Sequence, residues 1–390
     1  MKNERAMLVI YGFMKLINVF LGPFLTAYFV KISIESITTV SLFNAFNYLF
    51  LAIFGMIAGY YVEKKGTLFV LRLGIIAKFF CVLLIMFLGT NITSYYGIVS
   101  FVFGFAQMFF YIPFDLYHAE GVEKERRTSF ELKLNMMKDL TSVLGPILLG
   151  ATITIINYQM TAIIVLFFSF CQIVASFYLK PILNDDRNYN LINALKKLMK
   201  NKDHRKLFLV QYLNGMTFSD SALSAAITIL IMMSFKTDFN LGVITSLTSL
   251  LSLIAIYIYT KKYKNKSDRV PLYFSGVIIF LSMILLILKT SDLTIVIYNV
   301  ILGIFGAGIL NFAYILRLVN MAKENVKKEE KAEFWAISEL FLNIGRVTGF
   351  VLLLFVGILG LDYLVYFLIF IGLIVLIFPY FLSDIDRNEF

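Results

Sequence analysis

Five ionisable side chains stand where the surrounding sequence is apolar: Lys15, Lys138, Asp220, Glu339 and Arg346. At 1.5 Å per helical residue, Lys15 and Lys138 fall about 13 Å from the nearest ends of their apolar stretches, and Arg346 about 18 Å. That is close to the middle of a ~30 Å hydrocarbon layer. Charge at such depth is costly, so it faces a water-filled cavity or another charge. Cations placed there can hold an anionic group through charge-assisted hydrogen bonds, or they can form structural ion pairs between helices. An acid placed there can exchange a proton, because burial raises a carboxylate pKa and a nearby cation lowers it. Asp220 is the preferred proton carrier, since no cation lies three or four residues away. Glu339 and Glu131 are further acids, and Asp139 points about 100° from Lys138 on the same helix. Lys78 is placed more weakly, on a span expected to face outward.

These residues sit in a repeated pattern. Glu131, Asn135, Lys138 and Ser142 fall on one narrow helical stripe, and Glu339, Asn343 and Arg346 repeat the first three 208 positions later with the same charge signs. A second match pairs FGFAQMFFYIPFDLYHA from Phe103 with FGAGILNFAYILRLVNMA from Phe305, which sets Asp115 opposite Arg317. The chain reads as two related halves.

The elements that must position the stripe are membrane-spanning helices. With 390 residues, 59% of them hydrophobic, 15% charged and a mean hydropathy of +0.82, the chain has too little polar surface for a soluble globule. Apolar runs long enough to span number twelve, at about 7–30, 38–62, 69–90, 94–118, 129–156, 160–180, 206–235, 239–260, 271–289, 293–321, 334–358 and 362–382. The first is interrupted by Lys15 and carries no small-residue cleavage site, so it is expected to be retained. The organisation is therefore an all-α membrane protein: a six-helix bundle over 1–180, a linker over 181–205 and a second six-helix bundle over 206–390. Within the linker, LINALKKLMK has the spacing of a surface helix. Alternate loops hold nearly all the Lys and Arg, while the other set has only Lys31, Lys236 and Lys289. Both termini are then expected in the cytoplasm. The +10 net charge needs no nucleic-acid partner.

Other chemistries find little support. Cys81 and Cys171 lie in apolar spans, and His118 and His204 lack a second ligand at metal spacing. No metal site, no cofactor and no nucleophile–base constellation is expected, and no GxxxxGK[ST] phosphate loop occurs. Asn18, Asn44, Asn47, Gln107, Gln211, Asn214 and Asn311 add amides to the spans, where hydrogen bonding between helices accounts for most such residues.

Two short stretches resemble a known family. GYYVEKKG, with Gly59, Glu63, Lys64 and Gly66, is similar to the G-x-x-x-D-R/K-x-G signature of the major facilitator superfamily, with Glu in place of Asp. Glu63 would meet the positive N-terminal end of span eleven as a latch. LGPILLGA, with Gly145, Pro146 and Gly150, resembles the GPxxGG antiporter motif of the proton-coupled drug exporters, with Leu149 replacing its first terminal glycine. A proline that loosens the helix and small residues beside it let a neighbour rock against span five. The Arg those exporters carry in span four is replaced by Ser100.

The resemblance implies two bundles rocking about a central site lined by Lys15, Lys138, Asp220, Glu339 and Arg346, with H⁺ as the coupling ion. It implies a monomeric multi-pass antiporter that exports a small organic or amphipathic compound. Uptake or facilitated movement of an anionic metabolite is the second reading. A receptor, scaffold or lipid-handling protein that transports nothing is the third. The abundance of Ile, Lys, Asn and Phe suggests an AT-rich bacterial genome, and hence a bacterial cell membrane.

Overall fold

Among the described residues, twelve long apolar helices make up most of the structure, because in a lipid environment a helix satisfies every backbone polar group within its own segment. The computed structural model describes residues 2–33, 35–120, 127–181, 189–218, 220–263, 267–324, 326 and 330–385. The side chains of His118 and Glu131 lie outside that description. In order, spans one to six are Asn3–Ile32, Ser36–Lys65, Thr67–Thr93, Tyr96–Tyr117, Lys133–Ile156 and Tyr158–Ser176. Spans seven to twelve are Lys202–Phe235, Asp238–Tyr263, Arg269–Leu288, Asp292–Ala322, Lys331–Leu359 and Leu361–Ser383. An even number of crossings puts the starts of odd spans and the ends of even spans on the face that carries both termini. The opposite side is called the far face below.

Among the described residues, three spans depart from regular α-helix at mid-span. Span one widens to a π-helical turn at Phe20–Phe24 around Pro23, which has no backbone N–H to give. Span ten does the same over Leu302–Asn311. Span seven breaks: its first helix ends at Thr217, and the next begins at Ala222 with Ser221 as its cap. Asp220 lies in that break at φ +47°. Asp220 therefore lies outside regular helix, rather than on the continuous span expected from the sequence. A non-glycine residue in the left-handed region is held there by its surroundings.

The two bundles meet along two seams. Span two packs against span eleven in the most extensive helix contact of the molecule, and span five packs against span eight. The second seam depends on missing side chains. A Cβ at Gly150 would come within 2.5 Å of the Asp238 carbonyl oxygen, and one at Gly242 within 2.4 Å of the Pro146 carbonyl oxygen. Gly145 is different, because a Cβ there would find only side chains at 3.5–3.6 Å. Span five itself runs unbroken over Arg127–Ile156, through Pro146. At the tight connection between spans two and three, Gly66 adopts φ +86°, which a side chain would strain.

The linker helix Leu191–Leu198 buries Ala194 and Leu198 and packs on span eleven, with Lys197 paired to Glu330 just before that span. Gly150→Ala should therefore lower thermal stability by about 1–3 kcal/mol through backbone overlap at the seam. Gly145→Ala should leave the melting midpoint of the detergent-purified protein unchanged. Equal midpoints for the two variants would remove the seam from the packing account.

Candidate functional site

Between the bundles lies a chamber of about 330 Å³ that both halves line. The first bundle contributes Asn18, Asn44, Asn47 and Gln107, and the second contributes Gln211, Asn214 and Asn311. These are the seven span amides noted in the sequence, so helix-to-helix bonding does not account for the set. Asn18 is used within its own bundle: it donates to Tyr111 Oη at 2.7 Å and accepts from Lys78 Nζ at 2.8 Å. Asn44 donates to the Val40 carbonyl at 2.9 Å. The amide oxygens of Asn47, Gln211, Asn214 and Asn311 are buried and have no protein partner among the described residues. Three acids also line the chamber: Asp115, Asp220 and Glu339.

Arg346 is the charge around which the chamber is built. Its side chain is 92% buried, with the guanidinium carbon 4.8 Å above the Tyr48 ring of the opposite bundle. Nη1 donates to Asn343 Oδ1 at 2.8 Å, and Nη2 lies 3.6 Å from Asp220 Oδ2. Asn343 in turn donates to Glu339, at 2.8 Å to its carbonyl oxygen and 3.4 Å to Oε2. The result is a chain of polar groups from Glu339 through Asn343 and Arg346 to Asp220. Asp220 is 81% exposed, so its carboxylate is both opposite a cation and open to solvent. Its partner comes from span eleven, which explains why no cation was visible near Asp220 in sequence.

A second chamber of about 310 Å³ shares Gly22, Pro23, Asn44, Tyr48 and Asp220 with the first and extends toward the far face as far as Ile231 and Leu241. Hydroxyls such as Thr26, Ser221, Ser224, Thr228 and Thr245 line it. Asp220, Tyr48 and Asn44 form the junction. At the far face the bundles are joined. Lys31 at the end of span one is paired with Asp238, whose side chain is 96% buried. Phe239 N–H donates to Thr154 Oγ1 at 3.1 Å, and the Thr38 backbone nitrogen is 2.8 Å from where a Gly357 Cβ would lie.

On the terminus-bearing face the latch differs from the sequence expectation. Glu63 accepts the backbone N–H of Tyr189 in the linker at 2.7 Å rather than meeting the start of span eleven directly. The next linker residue completes the link, since Asn190 N–H donates to Glu333 Oε1 at 3.2 Å. Gly59 provides room for the Tyr189 ring, which a Cβ there would overlap at 2.7–2.8 Å. The ring's hydroxyl reaches the Met56 carbonyl at 3.3 Å. Burial, and then the Glu333 and Glu63 carboxylates, push the Tyr189 phenol above its usual range, so it remains a neutral donor. Lys64 lies outside this contact, 4.5 Å over the Tyr60 ring.

The remaining predicted residues divide. Lys15, expected in the lining from the sequence, is not part of it: it stacks over Tyr11 at 5.2 Å and interacts electrostatically with Lys138, Asp220 and Asp115. Lys138 is exposed and does not line the chamber, contrary to the sequence expectation. It is turned away from the exposed apolar row Met136, Leu140, Leu144 and Leu148, so its solvent lies on the side toward the other bundle. Lys78 is not outward-facing: it is 99% buried, bound to Asn18 and 5.3 Å over the Phe103 ring. Ser100, where the exporters carry Arg, donates to the Phe43 and Tyr96 carbonyls at 2.9 and 2.7 Å.

Asp115 and Arg317, aligned by the repeat, do unrelated work. Arg317 is locked to Asp268 at 3.0 Å inside the second bundle, whereas Asp115 faces the chamber with Lys15 and Glu339 as charged neighbours. Sequence reasoning passed over Asp115 and the pair of Lys31 with Asp238. The available signal was an acid within YIPFDLYHA and a cation, Lys31, in a short loop whose other charge is Glu35.

Asp220→Asn keeps the shape of the junction and removes the charge opposite a buried guanidinium. It should cost about 1–2 kcal/mol of thermal stability, below the ~3–5 kcal/mol of a fully buried pair because Asp220 is open to water. Arg346→Met in the same protein should recover most of that loss. Additive destabilisation by the two changes would show that they are not coupled.

Three comparisons place this geometry among known proteins. A profile of the Major Facilitator Superfamily matches residues 6–322. The chain is similar to the uncharacterized protein YqgE of Bacillus subtilis (strain 168), with 23% identity over 312 residues covering 78% of this chain and 72% of that one. Its fold is similar to the crystal structure of the human organic anion transporter MFSD10 (TETRAN), with a TM-score of 0.68 at 12% identity over 98% of this chain and 99% of that one. With twelve spans in the same arrangement and more than half of its length matched, the chain belongs to the major facilitator superfamily and is a membrane transporter.

Proposed function

We propose that this transporter is a proton-coupled exporter of a small organic compound, set in a bacterial cell membrane with both termini in the cytoplasm. The observation that carries the reading is Asp220: an accessible carboxylate at the junction of two chambers, 3.6 Å from the buried Arg346. Protonation of Asp220 would release its hold on Arg346, and the guanidinium would then rely on its other partners, Asn343 and the Tyr48 ring among them. Because Tyr48 belongs to the opposite bundle, a change at Asp220 is felt across the interface. A charge change of this kind biases two access states separated by a few kcal/mol. The resemblance of Gly145, Pro146 and Gly150 to the exporters' motif supports the outward direction.

An anionic substrate is the second reading, favoured by Arg346 in the chamber and by the name of the human protein with the similar fold. Against it, Arg346 is already engaged by Asp220 and Asn343, and three acids line the chamber. Everted vesicles with an imposed proton gradient separate the two. Under the proton-coupled reading some organic compounds collapse the gradient, and Asp220→Asn abolishes the response while leaving exchange down the substrate's own gradient. Movement of an organic anion without proton movement, lost in Arg346→Ala and unaffected by Asp220→Asn, would overturn it.

A further inference from the structure

The chamber's amides say more about what enters it than its charges do. Asn47, Gln211 and Asn214 are each at least 98% buried, they come from both bundles, and their amide oxygens have no protein partner among the described residues. Asn311, on the π-helical turn of span ten, adds a fourth. A buried carboxamide left unsatisfied is destabilising, so a group of them around one space is an arrangement for a ligand that supplies the missing bonds. A carboxamide offers two donors and one acceptor oxygen, and it can turn about its last bond to present either.

The complement of a group that both donates and accepts is a hydroxyl. An apolar drug would leave these amides unsatisfied. An organic carboxylate would satisfy their donors only and would meet Asp115, Asp220 and Glu339. Tyr111 and Tyr314 add aromatic rings to the lining that suit the C–H face of a small ring, with hydroxyls round its edge reaching the amides. A volume of about 330 Å³ is at the small end for ligand cavities.

We propose that the chamber is built for a small, uncharged, polyhydroxylated compound, a sugar or polyol, held by Asn47, Gln211, Asn214 and Asn311. This rests on the transporter reading above and names the substrate class of the same site. The Arg346 guanidinium serves Asp220 and the switch between states, and the amides do the recognition.

The test uses the full chain purified in detergent, with thermal shift and calorimetric titration against pentoses, hexoses, their alditols and disaccharides. At least one should raise the melting midpoint at millimolar concentration. Deoxy or O-methyl analogues of that compound should bind the wild-type protein about 5- to 10-fold more weakly for each hydroxyl that meets an amide. Gln211→Leu and Asn214→Leu should each weaken the parent sugar by a similar factor while leaving the deoxy analogue less affected. The analogue series needs no variant, so a leucine variant that fails to fold does not protect the proposal.

The proposal is overturned if no sugar or polyol binds. It is also overturned if only hydrophobic amines or organic carboxylates shift the midpoint, or if deoxy analogues bind as tightly as the parent. Collapse of a proton gradient by a compound without hydroxyls would sink this inference and leave the coupling reading standing. Sugar binding with no proton movement would do the reverse.

Discussion

A guanidinium held at the middle of a membrane protein constrains everything near it. Arg346 cannot be left in hydrocarbon, and its neighbours are arranged accordingly: Asn343 on one nitrogen, Asp220 beside another and the Tyr48 ring beneath. Each of those groups imposes a condition of its own. Asp220 reaches it from a break in span seven at a backbone angle that a non-glycine residue rarely adopts. Tyr48 must come from the other bundle, so the seam between spans two and eleven has to be close at mid-span. The two chambers then meet where those conditions are satisfied. Charge, strain and contact between the halves are concentrated at one place, as expected if that place switches the molecule.

The rest of the interface divides into contacts that hold and contacts that can part. The crossing of spans five and eight rests on backbone approaching backbone at Gly150 and Gly242, which constrains geometry more than it contributes energy. At the far face a charged pair, one backbone hydrogen bond to a hydroxyl and a close helix approach keep the mouth shut. On the terminus-bearing face the linker is part of the mechanism rather than a tether. Tyr189 and Asn190 give their N–H groups to Glu63 and Glu333, one acid from each bundle. The large chamber lies within two or three turns of that face, judged from the helical positions of Asp115 and Glu339.

Much of this was legible in sequence, and the limits have physical causes. Span number and bundle division follow from the bilayer's demand for long apolar runs, which leaves a strong local signal in one dimension. Arg346 and Glu339 were found because charge is rare in such runs. Partners were not legible, because Asp220 and Arg346 lie 126 positions apart on different helices and no periodicity links them. Periodicity also misled at Lys138: the stripe does turn inward, but it opens onto solvent, while its counterpart Arg346 is enclosed. The seven amides each had an ordinary explanation as helix pairing. Only their convergence on one chamber distinguishes them, and convergence is a property of the fold.

The central claim is that the far mouth must open for a ligand to cross, and it can be tested without knowing the ligand. Thr154→Cys and Phe239→Cys, at neighbouring positions of spans five and eight, would be placed in a protein carrying Cys81→Ala and Cys171→Ala, with Ile315→Cys as a reporter in the chamber. Before oxidation, a membrane-impermeant maleimide should reach the reporter from either face. After the far-face disulfide forms, labelling should persist only from the terminus-bearing face. Unchanged labelling from the far face after cross-linking would contradict the account.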